Sequence, residues 1–143
     1  MQKTIKNLFF IQLGLVLLSP ILILIGIHFP FGGIIPALAI VSIIMVSKNL
    51  KRGLLKTSLI INNLSILLFP LFFTVIILML FPLGSLFSQS KIVGSETLDL
   101  VLKSSVLVSS VLGMVTITAI YLTTSIIITI LYAKERQRLA KAK

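Results

Sequence analysis

The sequence predicts an all-α integral membrane protein with four transmembrane helices and both termini in the cytoplasm. Its composition is 57% hydrophobic and only 11% charged, whereas roughly a quarter of the residues are charged in ordinary soluble domains. The charges lie outside long uncharged runs, and about 20 apolar residues suffice for one helical crossing. The runs also lack the in–out alternation over about ten residues that strands of a membrane β-barrel show.

The first uncharged run, residues 7–47, predicts two helices because it is too long for one crossing. We expect the break at residues 28–33, where a proline and paired glycines disrupt a helix. The first span is predicted at residues 8–27 and is interpreted as uncleaved, since no small-residue cleavage pattern ends it. The second span, residues 33–47 with Pro36 in its first turn, is short. It crosses a locally thinned bilayer, starts within the headgroups or is re-entrant.

The third and fourth spans are predicted at residues 58–82 and 104–133. A basic loop, residues 48–56, precedes the third span, and a short interfacial helix is expected at residues 96–103. The fourth run has 30 uncharged residues, more than the bilayer requires, so its helix should tilt or protrude. All four spans form one membrane domain, residues 1–143.

The basic residues predict the orientation. With four spans, the N-terminus, the second loop and the C-terminus share one side and carry eleven of the 13 Lys and Arg residues. The other side carries two, Lys91 and Lys103. This asymmetry predicts that both termini lie in the cytoplasm. The expected location is the inner, or cytoplasmic, membrane of the cell. The net charge is +10, but none of the basic clusters has the interleaved aromatic residues of a nucleic-acid-binding surface. Anionic lipid at the basic loops is therefore the expected partner, and nucleic acid is not.

The sequence offers no residues for catalysis, cofactor binding or metal binding. It has no cysteine, three acidic residues outside the spans, and His28 as its one histidine. These cannot supply a Ser–His–Asp set or a metal site, so no enzyme, cofactor or metal is expected. We expect His28 at the outer headgroup level. Since no acid lies inside a span and Gln12 stands where a small multidrug exporter would carry a glutamate, ion-coupled export is disfavoured.

Two amides and a proline distinguish the third span. Asn62, Asn63, Pro70 and Thr74 are candidates for helix packing or for a pathway, because amides in lipid require hydrogen-bonding partners. Pro70 should kink the helix and free the carbonyl of Ile66. One interpretation is a packing kink with amides bonded across helices, and the other is a wet, conformationally soft face.

The fourth span contains a ladder of small residues, Ser105-x3-Ser109-x3-Gly113. Such a ladder allows helix backbones to approach closely. It is predicted to serve packing within one subunit, a subunit interface or the lining of a polar pathway. We expect it to face the side of the third span that carries Asn62, Pro70 and Thr74.

Three motifs together resemble a known family. They are Gln12-Leu13-Gly14 in the first span, the Phe-Pro-Phe-Gly-Gly turn at residues 29–33 that leads to Pro36, and Asn62-Asn63 followed by Leu68-Phe69-Pro70. Over nearly the whole chain, the sequence resembles the holin-like murein-hydrolase regulators of the Cid/Lrg type. The resemblance implies a small oligomeric inner-membrane protein paired with a larger hydrophobic partner, and involved in autolysis control or in transport of small carboxylates such as pyruvate or glycolate.

Three functional hypotheses follow. The chain is a holin-like protein that self-associates and permeabilises the membrane, or an accessory subunit of a two-component carboxylate transporter whose partner holds the substrate site. The third hypothesis is a structural subunit of an unrelated membrane complex. The lack of a charge inside any span favours the second and third hypotheses over an independent ion-coupled carrier.

Overall fold

The fold is all-α. The computed structural model describes residues 2–24, 30–80 and 96–142. Within these ranges, four helices are long and apolar enough to cross a membrane, which confirms the prediction at this level. They are α1 (Gln2–Leu24), α2 (Ile35–Asn49), α3 (Leu54–Leu80) and α4 (Glu96–Lys141).

The start of α2 follows the pattern that the sequence predicts. A π-helical turn, Pro30–Ile34, leads into α2. Pro36 lies in the first turn of α2, the part of a helix that tolerates proline best. The predicted break includes residues 28 and 29, which lie outside the described residues, as does the expected headgroup position of His28.

The last helix is longer than predicted. The expectation of a separate interfacial helix at residues 96–103 is wrong, because α4 is one continuous helix of 46 residues. Its sequence contains no proline, and its first glycine is Gly113, so nothing ends the helix near Lys103. At about 1.5 Å per residue, α4 is about 69 Å long.

The proline inside α1 has a local compensation. Pro20 has no N–H to donate to the carbonyl of Val16, one turn earlier in the helix. The hydroxyl of Ser19 donates to that carbonyl instead, with an oxygen–oxygen distance of 2.6 Å. Ser19 therefore satisfies an acceptor that lipid could not.

The chain divides into two compact units. Unit 1 comprises residues 1–67 and 119–143, and unit 2 comprises residues 68–118. Unit 1 holds α1, α2, the first half of α3 and the last part of α4. Its apolar core consists of two clusters that contain Ile5, Phe9, Val46, Leu59, Ile128 and Tyr132 in one and Ile35, Ala39, Ile66 and Tyr121 in the other.

Burial is inverted relative to a soluble protein. Ten of the buried side chains that the structure describes are polar, and eleven are hydrophobic. Large apolar side chains point outward, such as Leu17 at 66% exposure and Leu71 at 62%. Soluble proteins bury Leu and Ile and leave Asn, Gln and Ser mostly outside. Together with the four apolar helices, this inversion indicates a multi-pass membrane protein.

Candidate functional site

Helical spacing aligns buried polar side chains in unit 1. On α2, Ile35, Ala39, Ser42 and Val46 recur at intervals of three and four residues and therefore share one face. All four are buried. Ser42 is thus placed inside the bundle by the apolar residues that flank it on the same face. Buried polar side chains on the other helices of unit 1 are Gln12, Ser19, Ser58, Asn62, Asn63, Ser65, Thr124 and Ser125.

Asn62 connects α3 to α4. Its side chain is 1% exposed. Its amide nitrogen lies 2.8 Å from the hydroxyl of Ser125, 3.0 Å from that of Thr124 and 3.2 Å from the carbonyl of Tyr121. An amide group has two hydrogens, so it shares them among these three acceptors. Interhelical hydrogen bonds of this kind are worth about 0.6 kcal/mol on average and at most about 1.7 kcal/mol.

Asn63 connects α3 to α2. Successive helical residues point about 100° apart, so the two adjacent amides meet different neighbours. The amide nitrogen of Asn63 donates to the hydroxyl of Ser42 at 3.1 Å and to the carbonyl of Leu59, one turn back, at 2.7 Å. Its amide oxygen is buried with no hydrogen-bond partner in the described protein. Asn63 therefore retains one acceptor for a further donor.

Gln12 is the polar residue with the least compensation. It lies on the buried face of α1 with Ile5, Phe9 and Ser19, and its side chain is 1% exposed. Neither its amide nitrogen nor its amide oxygen has a hydrogen-bond partner in the part of the chain that the structure describes. A buried unpaired amide costs roughly 1–3 kcal/mol in proteins. Gln12 thus presents a donor and an acceptor inside the bundle.

The structure places Pro70 and Thr74 in unit 2. Pro70 is half-buried and Thr74 is exposed. The hydroxyl of Thr74 donates to the carbonyl of Pro70 in the same helix at 2.7 Å. This bond satisfies the hydroxyl locally, so Thr74 can face lipid.

The three residues of the small-residue ladder of α4 have different surroundings: the glycine is packed against a ring and the two serines are exposed. Gly113 lies under the ring of Phe72, since a Cβ at this glycine would be 2.5 Å from the Phe72 Cε1 atom. Ser105 and Ser109 are exposed, whereas the neighbouring Ser110 is buried. Within unit 2, a glycine thus admits an aromatic ring from α3.

The expected pairing of Asn62 with the ladder is wrong. Asn62 bonds to residues 121, 124 and 125 of α4. The buried residues of α4 include positions 110, 117, 121, 124 and 128. They lie on a face of the helix that is rotated by about one residue from the face that carries the ladder. The sequence analysis did not identify Ser42, Thr124 or Ser125 as partners of the amides. The spacing of Ser42 from Ala39 and Val46 was the available signal.

This site can supply hydrogen bonds but no charge. None of its buried polar residues is ionisable. Among the described residues, no group of three or more His, Cys, Asp or Glu side chains is placed to hold a metal ion. The arrangement can therefore fix helices to one another through hydrogen bonds, and Gln12 and Asn63 keep buried amide atoms without partners in the described protein.

Comparison with protein-family models finds no match to this chain. Comparisons with curated proteins and with solved structures find no significant similarity. The resemblance to the holin-like family thus rests on the sequence motifs, and the function must be argued from the residues themselves.

Proposed function

We propose that the chain is a holin-like, multi-pass protein of the cytoplasmic membrane that self-associates and acts with a larger hydrophobic partner. Its role is control of membrane permeability, with autolysis control or small-carboxylate transport as the process served. The main observation in support is the amount of span surface that one chain leaves uncovered. In an apolar 18-residue window of each candidate span, only 22% is buried in the first three spans and 28% in the fourth.

The surface of unit 2 supports assembly in particular. Ser105 and Ser109 are exposed on α4, in the part of the chain that the sequence predicts to lie in the membrane. A serine hydroxyl in lipid lacks partners, and small residues favour close helix–helix contact. Another helix, from a second copy or from a partner protein, would satisfy both properties.

Unit 1 supports the proposed orientation. One cavity is lined by the first turns of α1, by Leu50 and Leu55 around the loop before α3, and by the last turns of α4. Basic residues of the first turns of α1 and the last turns of α4 therefore share this cavity, and the loop that carries the third basic cluster borders it through Leu50 and Leu55. Such grouping fits the positive-inside rule for segments on the cytoplasmic side. The same placement supports a full crossing by α2, since α1 starts and α2 ends at this cavity.

A second candidate function is supported by the polar core. The amide nitrogens of Asn62 and Asn63 are both committed to bonds within the chain. Such a core stabilises a bundle without providing a charged path through it. This observation favours an accessory subunit whose larger partner holds the substrate site.

Dye release tests the first candidate. The purified chain alone is inserted into liposomes that contain a self-quenched dye, over a range of protein densities. We expect release to rise more steeply than linearly with density, because self-association precedes permeation. The double variant Ser105→Leu, Ser109→Leu should insert as well as the unsubstituted chain but release less dye. Complete retention of dye at every density, with insertion verified by flotation, contradicts holin-like action.

Co-purification separates the two candidates. The tagged chain is expressed together with the gene next to its own and solubilised in mild detergent. An accessory subunit should isolate with a larger multispan protein in fixed ratio and should release no dye alone. Isolation of the chain without that protein, in an assembly of its own copies, excludes the accessory role.

A further inference from the structure

A cavity at the end of unit 1 combines an apolar floor with a basic rim. Its volume is about 560 Å³. The floor includes Ile5 and Tyr132, which are buried, and Leu50, Leu55 and Leu131, which are half-buried. The rim carries five cationic side chains, Lys3, Lys6, Lys134, Arg136 and Arg138.

The positive charge of this cavity is largely uncompensated. Glu135 is the one acidic residue among those that line it. Within the part of the chain that the structure describes, none of the five cations forms an ion pair of 4.0 Å or less. Lys6 is held above the ring of Tyr132, with its Nζ atom 5.4 Å from the ring centroid. Converging cations with two guanidinium groups are suited to phosphate oxygens.

The floor determines the kind of anion. A small inorganic anion would gain nothing from Ile5, Leu50 and Leu55, but a ligand with apolar carbons next to its phosphate would bury them there. Leu139 adds to this surface, because it is 65% exposed on the rim among charged residues. The cavity thus matches an anionic amphiphile.

The position of the cavity along α4 agrees with the binding of a membrane lipid. The uncharged run of this helix ends at Ala133, and the basic rim begins at Lys134. This change from apolar to basic residues is where a membrane helix meets phospholipid headgroups.

We propose that this cavity binds the headgroup of an anionic phospholipid, with phosphate between Lys6, Arg136 and Arg138 and with the glycerol and first acyl carbons on the floor. The site goes beyond the proposed permeability function and does not depend on it. It would attach both ends of the chain, through α1 and α4, to the same leaflet of the membrane.

Lipid retention by the full chain tests this site. The purified protein is mixed in detergent with equal amounts of phosphatidylglycerol and phosphatidylcholine, and bound lipid is counted by native mass spectrometry. The variant Lys6→Gln, Arg136→Gln, Arg138→Gln should retain at least about tenfold less phosphatidylglycerol, since it loses three cations near the headgroup. The control Lys48→Gln, Lys51→Gln, Arg52→Gln removes the same charge from the adjacent loop region, whose cationic side chains do not line the cavity, and its loss should be at least about threefold smaller than that of the cavity variant.

Further arms separate charge, folding and ligand source. The charge-preserving variant Lys6→Arg, Arg136→Lys, Arg138→Lys should retain the lipid, and Leu139→Gln should retain less because the apolar contact is lost. Millimolar inorganic phosphate should not displace the lipid. Equal losses in both triple variants would show diffuse surface attraction, and full displacement by phosphate would show a soluble-anion site. Either result overturns the proposal, as does unchanged retention in the cavity variant.

Discussion

Both halves of α3 belong to one candidate membrane span, Leu54–Met79, but their surroundings differ. Residues 54–67 belong to unit 1 and bury Ser58, Asn62, Asn63 and Ser65. Residues 68–80 belong to unit 2, and none of the side chains described there, at residues 68–79, is buried. The first half is fixed by directional hydrogen bonds to α2 and α4, whereas the second contacts α4 through the ring of Phe72 on Gly113.

This difference shows where a polar residue in an apolar helix is informative. Hydropathy alone treats both halves as membrane-spanning. The amides identify the half that has protein on several sides, because lipid cannot pair with them. The hydroxyl of Thr74 carries no such information, since it is satisfied within its own helix.

The largest effect is expected where the second half of α3 meets α4. Gly113→Leu places a side chain where Phe72 atoms lie 2.5–2.9 Å from a Cβ position. Overpacking of this kind costs about 1–3 kcal/mol. The measurement is reversible unfolding in mixed micelles, followed by far-UV circular dichroism. Gly14→Leu is the matched control, because no atom lies within 4 Å of its Cβ position.

Phe72→Ala in the same background should recover much of the lost stability, since it removes the obstructing ring. If Gly113→Leu and Gly14→Leu have equal effects, the contact between ring and glycine does not stabilise unit 2.

The next largest effect is expected at Asn62. Asn62→Leu removes the donor that serves three acceptors on α4. We expect a loss of about 1–2 kcal/mol in the free energy of unfolding, since more than one interhelical bond is broken. Insertion should be unchanged or improved. A double-mutant cycle with Ser125→Ala measures the pairwise part, and the absence of coupling between the two sites contradicts the bond.

Asn63→Leu is expected to cost less than Asn62→Leu, about 0.6 kcal/mol. Asn63 bonds across helices to Ser42 alone, and its amide oxygen is buried without a partner in the described protein. Removal of that oxygen offsets part of the lost bond. The same unfolding measurement ranks the two variants, and a larger loss for Asn63→Leu would show that its oxygen has a partner such as bound water.

The smallest effect is expected at Thr74. Its side chain is exposed and bonds to Pro70 in its own helix. Thr74→Val keeps the shape and should change the free energy of unfolding by less than about 0.5 kcal/mol. A change above about 1 kcal/mol, or a loss of self-association on a native gel, would identify Thr74 as part of an interface between chains.

Much of the fold was predictable because charge and helix-breaking residues mark the ends of spans directly. The four spans and the role of Pro36 follow from those signals. The partners of the amides were harder to predict, because the sequence does not show which face of α4 is buried. Ser109 and Ser110 are adjacent, yet only Ser110 is buried. In the sequence, Lys6 and Arg136 lie in separate basic clusters. Only the fold brings them to one cavity.

The unequal lengths of α2 and α4 have a consequence for the membranes that suit this protein. The candidate span that contains α2 has 18 residues, about 27 Å of helix, whereas the uncharged run of α4 has 30, about 45 Å. Sterol- and sphingolipid-rich bilayers have a hydrocarbon core of roughly 32–33 Å. In such a bilayer we expect α4 to reduce its tilt, whereas the span of α2 would be shorter than the hydrocarbon core. We therefore expect the shortest helix to favour thin bilayers, whereas the longest imposes no such limit.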